Sequence, residues 1–580
     1  MDKRRRIGKA GLLMFCWALS LAAMSLSLAG SGRFSFWMRV FVPVMLIFGY
    51  LFLWQIPRVL MRWQLWAAAV LFAAAVTLGA SFEHAGSVRL IAEHKGKALI
   101  YFLGRVPAFM MGMALFWEAA KRGKTLTRGL PAVGYAAVIF ACWIPYLLVV
   151  WPGTVSNDSI TQLLEIFGVK ALSNANPLFQ TGLIGLFVWI GQGIFGSADA
   201  AIALYVLAQG VLMALLFGFA VAQAGESGAP KWLVLTSLGF YALCPVFPLF
   251  AFCVGKDTNF AMAVLWLSLL VWRMVRRGSA GTWESVWLSV SAVLCALLRN
   301  AGAGLAAVTL LALLFFGLCR RSGVWRSALY ALTCTACALF LLCAALIPAL
   351  RAQPSPEAET LTVPLQQVAR VAANDSLPAD YAQIVNAVLP VDQLKAAYNG
   401  QLSDPVKDLW RADADAAQKR AFWKAWLELG LRYPATYLSA FFHNSYGYVM
   451  PGFVSAIKPT FLLGAEGDAG ALAGRFDFTV NPRAESLKTV LSRLLTYAPF
   501  RIFAAPGVYG WIVLFAFAAV LAARQGKLLL FMLPALLTLL GCLFSPVNGY
   551  FRYAMPVYFT APPLLAVCAQ AIRTTERSTL

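Results

Sequence analysis

Histidine is nearly missing from this chain, with three in 580 residues, and acidic residues number only 25. His84 and His94 sit in Glu-His dipeptides on one polar loop, a pattern that solvated loop residues produce without a metal. His443, within FFHNSYGY, reads as a hydrogen-bonding residue at a membrane interface rather than a base. The 11 cysteines fall almost wholly inside apolar runs and lack metal-ligand spacing, which excludes a disulfide framework and leaves them as small buried hydrophobes. Internal repeats and low-complexity tracts are also missing. Charge of either sign is confined to 12% of the residues, while 61% are apolar and the mean hydropathy is +0.72. Those proportions exclude a soluble globular chain and give an all-α polytopic membrane protein with the lipid bilayer as a partner.

Lys and Arg, 47 together, gather in short clusters beside apolar runs, where they set topology. No nucleic-acid footprint is needed, and no nucleic acid is expected. The N-terminus, MDKRRRIGKAGLLMFCWALS, resembles a signal peptide, but its long apolar run and the second run after it predict an uncleaved first span with its basic end in the cytoplasm.

Runs of spanning length lie near 11–30, 36–54, 64–81, 98–119 and 131–151. The run 177–195 poses the one topological choice. If it does not cross, the clusters Arg273/Arg276/Arg277, Arg320/Arg321/Arg326, Arg524/Lys527 and Arg573/Arg577 are all cytoplasmic, so 177–195 is expected to lie in the outer interface. Spans resume near 199–223, 231–251, 258–275, 284–299, 303–319, 326–349, 502–523, 528–545 and 554–572. The total is about fourteen crossings with both termini in the cytoplasm. Four regions follow: N-terminal transmembrane helices over 1–130, a transmembrane core over 131–349 with an outer loop at 152–198, an extracytoplasmic and interfacial helical region over 350–500, and C-terminal transmembrane helices over 501–580.

With this topology the polar residues that apolar packing does not explain fall on one side. They are Asn157 and Asp158 in SNDS, Asn176 in NANP, Lys256 and Asp257 in GKD, Arg299 and Asn300 in LLRNAG, and Arg552 and Tyr553 in YFRY. Placing an ionisable group at membrane depth costs about 2.5–3.5 kcal/mol on insertion scales, so such a gathering implies a ligand or mutual pairing. Lys and Arg hold phosphates by charge-assisted hydrogen bonds, and Asp accepts a proton from an attacking hydroxyl. These are the parts of a transferase that uses a lipid-phosphate sugar donor.

The order of an outer-loop Asp after a span (SNDS), an Asn-Pro turn (NANP), a Gly-rich interfacial helix ending in FG and a later KD pair resembles the GT-C superfamily of integral membrane glycosyltransferases, in a bacterial branch. The likeness covers roughly 140–310 and the last span. It implies a GT-C-like helical bundle with juxtamembrane helices in the first large outer loop and a small extracytoplasmic helical unit, located in a bacterial plasma membrane. It also implies a polyprenyl-phosphate-linked sugar as donor, an extracytoplasmic glycan, lipid or protein as acceptor, and Asp158 as the catalytic carboxylate of an inverting transfer. Asn157, Asn176, Lys256, Asp257, Arg299, Asn300, Arg552 and Tyr553 are then substrate-binding. The first loop has no Asp-Glu or Asp-x-Asp pair and no WWD-type motif follows, which argues against an oligosaccharyltransferase. No cofactor is implied, and a divalent cation stays open.

Blander readings stand beside these. Asp158 or Ser159 can cap a helix over 159–169, with Ser159 and Gln162 as a capping box. Asn176-Pro177 can be a helix start, Arg299 a structural ion pair with Asp257 or Asp158, and Arg552 a snorkelling helix-end residue. A transporter or flippase, with Arg105 inside a span, and a scaffold of envelope-polymer assembly are the rival functions.

Overall fold

The computed structural model describes residues 2–28, 43–47, 49–51, 59, 62–375, 377–455, 468–495 and 497–578. The protein is an all-α polytopic membrane protein, and among the described residues nine helices are long and apolar enough to cross a bilayer. In hydrocarbon only a helix satisfies every backbone group within one segment, which is why the apolar runs became helices.

The chain opens with α1 (Asp2–Ser25), α2 (Trp63–Ala85), α3 (Lys95–Arg122) and α4 (Ala132–Val150). The expected second span, 36–54, falls mostly outside the described residues. Next come β1 (Thr154–Val155), α5 (Asn157–Ile166), α6 (Leu178–Gly193) and α7 (Ala198–Glu226). The expected single span at 231–251 is two pieces, α8 (Lys231–Leu243) and α9 (Val246–Ala251). Pro245 breaks it: the ring has no N–H to give, and the residue before a proline is pushed out of the helical region, as the extended ψ of 117° at Cys244 records.

After β2 (Cys253–Val254) the core continues through α10 (Lys256–Arg277), α11 (Thr282–Leu298), α12 (Asn300–Cys319) and α13 (Val324–Leu341). A helical unit follows, containing α14 (Thr362–Asn374), α15 (Ala379–Asn386), α16 (Val391–Ala397), α17 (Asp404–Lys407) and α18 (Ala416–Arg432). It has its own core of Leu365, Val368, Val388, Leu389, Leu394 and Phe422. The last elements are α19 (Pro434–Ser445), α20 (Arg483–Leu494), α21 (Pro506–Ala522), α22 (Leu529–Leu543) and α23 (Phe551–Ser578).

The helical unit sits at the end of the bundle where α10 and α23 begin. Backbone bonds tie this region to the α5–α6 loop and to the approach to α23: Gln353 N–H donates to Leu172 O at 2.8 Å, and Asn548 N–H donates to Gln401 O at 2.9 Å. Arg370 of α14 reaches back to the end of α2, donating to Gly86 O at 2.7 Å, with His443 Nδ1 3.2 Å from its other nitrogen. Burial and the neighbouring Arg370 hold the His443 imidazole down at about 4, so it is neutral at ordinary pH.

Helix α6 packs on the first half of α7: Gln180 Nε2 donates to Tyr205 Oη at 2.7 Å, and a Cβ on Gly191 would meet Ala201. Its first residues follow Asn176, whose side chain contacts the start of α10, and the first half of α7 reaches β2 through Gln209.

Candidate functional site

Two short strands set the site. β1 and β2 pair in parallel, Thr154 with Cys253 and Val155 with Val254, and each runs into a helix: Val155 into Ser156 and α5, Val254 into Gly255 and α10. Ser156 N–H donates to Val254 O at 3.2 Å and the Ser159 hydroxyl to the same oxygen at 2.9 Å. Gln209 of α7 clamps the second strand, its Nε2 donating to the carbonyls of Phe250, Ala251 and Cys253 at 2.9–3.0 Å. Gly153 lets the first strand approach α7: its φ is +147°, and a Cβ there would stand 2.8 Å from Ile202 Cγ2.

The register makes the two turns equivalent. Asp158 lies three residues beyond Val155 and Asp257 three beyond Val254, each at the second position of its helix. The capping box expected at Ser159 and Gln162 is not formed. Ser156 is the N-cap residue and gives its hydroxyl hydrogen to Ser159 Oγ at 3.1 Å, while Gln162 Nε2 donates to Thr181 Oγ1 at 2.8 Å.

Around these carboxylates the side chains form one chain of charges. Lys256 Nζ lies 3.0 Å from Asp158 Oδ2 and donates to Asn176 Oδ1 at 2.6 Å. Arg552, 394 positions beyond Asp158, bridges both acids: Nη2 donates to Asp158 Oδ2 at 2.5 Å and Nε to Asp257 Oδ2 at 2.8 Å. Arg299 Nη1 stands 3.6 Å from the other Asp257 oxygen, its guanidinium 5.0 Å from the Tyr553 ring centroid and 5.6 Å from that of Phe260. Asn176 is therefore a ligand of Lys256 and not a cap, since α6 has Pro177 at its N-cap.

Asn157 and Asn300 are drawn in less. Both are exposed at the first positions of α5 and α12, and neither side chain hydrogen-bonds to the cluster among the described residues. Lys256, Asp257, Asp158 and Arg552 all lie in first turns, and Arg299 is the N-cap of α12, so the N-termini of α5, α10, α12 and α23 meet here. Three cations face two carboxylates, and the helix ends add positive potential; the site as a whole favours an anion.

A family model described as a family of unknown function (DUF6020) matches residues 168–579. The chain belongs to that family. The part matched to DUF6020 takes in Asn176, Lys256, Asp257, Arg299 and Arg552 and begins ten residues after Asp158. No curated protein and no solved structure matches the chain.

Charge and burial shift two acids of this DUF6020 chain in opposite senses. Burial alone would raise the Asp158 carboxyl, but Arg552 and Lys256 outweigh it and hold the group well below the usual carboxylate range. Two helical turns further along α5, burial pushes Glu165 up to about 7 against the opposing pull of the Ser173 backbone, Lys170 and Lys256. Its Oε2 is buried without a hydrogen-bond partner among the described residues.

Sequence reasoning missed Glu165, and it missed a neutral trio beside the cluster. Asn259 Nδ2 donates to Gln180 Oε1 at 3.1 Å and to Tyr205 Oη at 2.8 Å, and Gln180 Nε2 donates to the same hydroxyl at 2.7 Å. The available signal was position: Asn259 is one turn after Lys256, and Gln180 one turn after Pro177.

The donor set does not suit a divalent cation. Both carboxylates already hold cationic side chains, and a metal would have to displace them against a net positive field. Among the described residues no group of three or more His, Cys, Asp or Glu has ligand geometry.

From the cluster an apolar groove of about 280 Å³ leads away between α10, α12 and α22. Arg299 and Tyr553 stand in its wall together with Phe260, Leu305, Val308 and Leu537. A larger groove of about 660 Å³ starts beside Asn259 and runs along α10 past Met262 and Trp266 to Arg273.

Proposed function

We propose that this protein is a GT-C type glycosyltransferase that moves a sugar from a polyprenyl-phosphate donor to an acceptor hydroxyl outside the cytoplasm of a bacterial cell. Both termini would then lie in the cytoplasm. The observation that carries the reading is a net positive cluster with one lone acid-bridging arginine, standing at the head of an apolar groove. A lipid phosphate needs that combination: cations for the headgroup, greasy walls for the chain.

The chemistry follows from the ion pairs. In the resting arrangement Asp158 is too well paired to be a strong base. A donor phosphate competes for Arg552, Lys256 and Arg299; as they turn to it, Asp158 loses the charges that depress it, and burial raises its basicity. The acceptor oxygen then attacks the anomeric carbon from the face opposite the phosphate, its proton goes to Asp158, and the carbon–oxygen bond to phosphate breaks. The leaving polyprenyl phosphate keeps that electron pair and is stabilised by the three cations. The anomeric centre inverts.

The test is Asp158→Asn, which keeps the size and the position in α5. Envelope glycans of a strain carrying it, compared with wild type, are expected to lack one sugar while the purified variant remains folded. Unchanged glycan, together with undiminished transfer by the purified variant, removes Asp158 from the mechanism.

The larger groove supports a second reading, a lipid flippase, because it runs from Asn259 at the charged end to Arg273 and Glu284 at the other. Movement of a fluorescent lipid between leaflets of proteoliposomes, without any transfer product, favours it. Arg105 lends that reading little: its Nη1 donates to Ala23 O at 2.8 Å and Tyr101 O at 3.0 Å, tying α3 to α1.

A further inference from the structure

The bundle has a second charged hollow, at the end opposite Asp158. Helices α10 and α12 both begin at the cluster described above, and their far ends, with the turn between α21 and α22, enclose a cavity of about 590 Å³. Its walls carry Arg276, Arg277, Arg320, Arg524 and Lys527, and no acidic residue among the described residues.

Among the described residues, neighbouring acids do not balance these charges. Glu284 is shared between Arg273 at 2.8 Å and Arg277 at 2.9 Å, one carboxylate for two guanidiniums, and Glu226 attracts Arg276. Arg320, Arg524 and Lys527 are exposed and make no ion pair among the described residues. Ser322 Oγ, also in the wall, is buried without a hydrogen-bond partner among them. Arg524 is held in the left-handed region at φ +53°, a conformation that a non-glycine residue adopts at some cost.

Topology explains why cations collect at this end of the spans, and helix C-termini favour them there. Neither effect requires five of them around one hollow, where they repel one another. A bound anion removes that repulsion.

We propose that this cavity binds a phosphate-bearing anion of two or more charges, seated between the ends of α10 and α12 and the 524–527 turn. Guanidiniums match phosphate oxygens in pairs, the Ser322 hydroxyl can donate to one, and Val275 and Phe316 give the seat an apolar floor. Two sources share this chemistry: the headgroup of an anionic membrane lipid, which basic pockets between spanning helices hold, and a soluble pyrophosphate group. The site is separate from Asp158 and does not depend on the glycosyltransferase reading.

The full-length protein is purified and two probes are used: nanodiscs of phosphatidylcholine with and without phosphatidylglycerol, and inorganic pyrophosphate added to delipidated protein in detergent. Retained phosphatidylglycerol and the shift in unfolding temperature are read for wild type, for Arg320→Gln/Lys527→Gln, and for Arg128→Gln, an exposed basic residue of the α3–α4 loop outside the cavity. Wild type and Arg128→Gln are expected to bind at least one probe, with affinity in the double variant weakened about tenfold or more. A response confined to phosphatidylglycerol identifies a lipid headgroup, and one confined to pyrophosphate a soluble ligand. The proposal is overturned if wild type binds neither probe, if the double variant binds as well as wild type, or if Arg128→Gln loses as much.

Discussion

The bridge made by Arg552 gives the sharpest prediction. Its side chain is 11% exposed and holds Asp257, 8% exposed, at 2.8 Å and Asp158, 26% exposed, at 2.5 Å. Breaking a buried ion pair by removing one partner costs about 3–5 kcal/mol, because the other charge stays behind. Here each acid keeps a second cation, Arg299 at 3.6 Å from Asp257 and Lys256 at 3.0 Å from Asp158, and the more exposed Asp158 contact adds about 1 kcal/mol at most. Arg552→Gln is therefore expected to lose about 3 kcal/mol of stability, near the low end of the buried-pair range. Asp257→Asn should lose about 2 kcal/mol, since Arg552 retains Asp158. The double variant should lose clearly less than the two together, with a coupling of about 1.5–3 kcal/mol. Unfolding of the four proteins in mixed micelles, followed by tryptophan fluorescence, closes the cycle. Losses that add to within about 0.5 kcal/mol would refute the pairing that holds α10 against α23.

Two further outcomes follow from the same end of the bundle. The folded Glu165 carboxyl sits at about 7 instead of its ordinary 4.5, so the folded state holds this proton more tightly than the unfolded chain. Its cost is absent below 4.5, grows between 4.5 and about 7, and is complete above, so Glu165→Gln should raise the unfolding temperature above pH 7 and leave it unchanged at acid pH. A gain that does not vary with pH would show that the proton is not the cause. Gly302→Ala would put a Cβ 1.9 Å from the Cys295 carbonyl oxygen and 2.8 Å from the Phe260 ring, forcing α12 away from α11. A loss of about 1–3 kcal/mol is expected in the same unfolding assay, along with weaker binding of the proposed lipid-phosphate donor because Arg299 lies in the same turn.

Much of the architecture was legible because its causes are local. A span must close its own hydrogen bonds in lipid, so length and apolarity found α2, α3, α4, α7, α10 and α12 within a few residues. The place where the 231–251 run breaks was also written locally, in Pro245, yet hydropathy alone read through it. Charge partners were legible only in part: the pairing of Arg299 with Asp257 was among the readings and is found at 3.6 Å, while the Arg552 bridge was not foreseen. The sequence put Lys256 next to Asp257, but α10 points the lysine at Asp158 and Asn176 and leaves Asp257 to arginines far along the chain. Glu165 and the Gln180–Tyr205–Asn259 trio escaped notice because a single Glu or Gln on an amphipathic helix is ordinary until its neighbours are known.

The amino-acid order by itself determined a polytopic helical membrane protein and the segments where its unusual polar residues stand, since both depend on the transfer of nearby side chains between water and lipid. Only the tertiary structure decided that two strand turns align Asp158 with Asp257, and that Arg552 closes them into one network. Those facts depend on which surfaces pack together, and that is set by shape and by pairing across hundreds of residues, which no local pattern encodes.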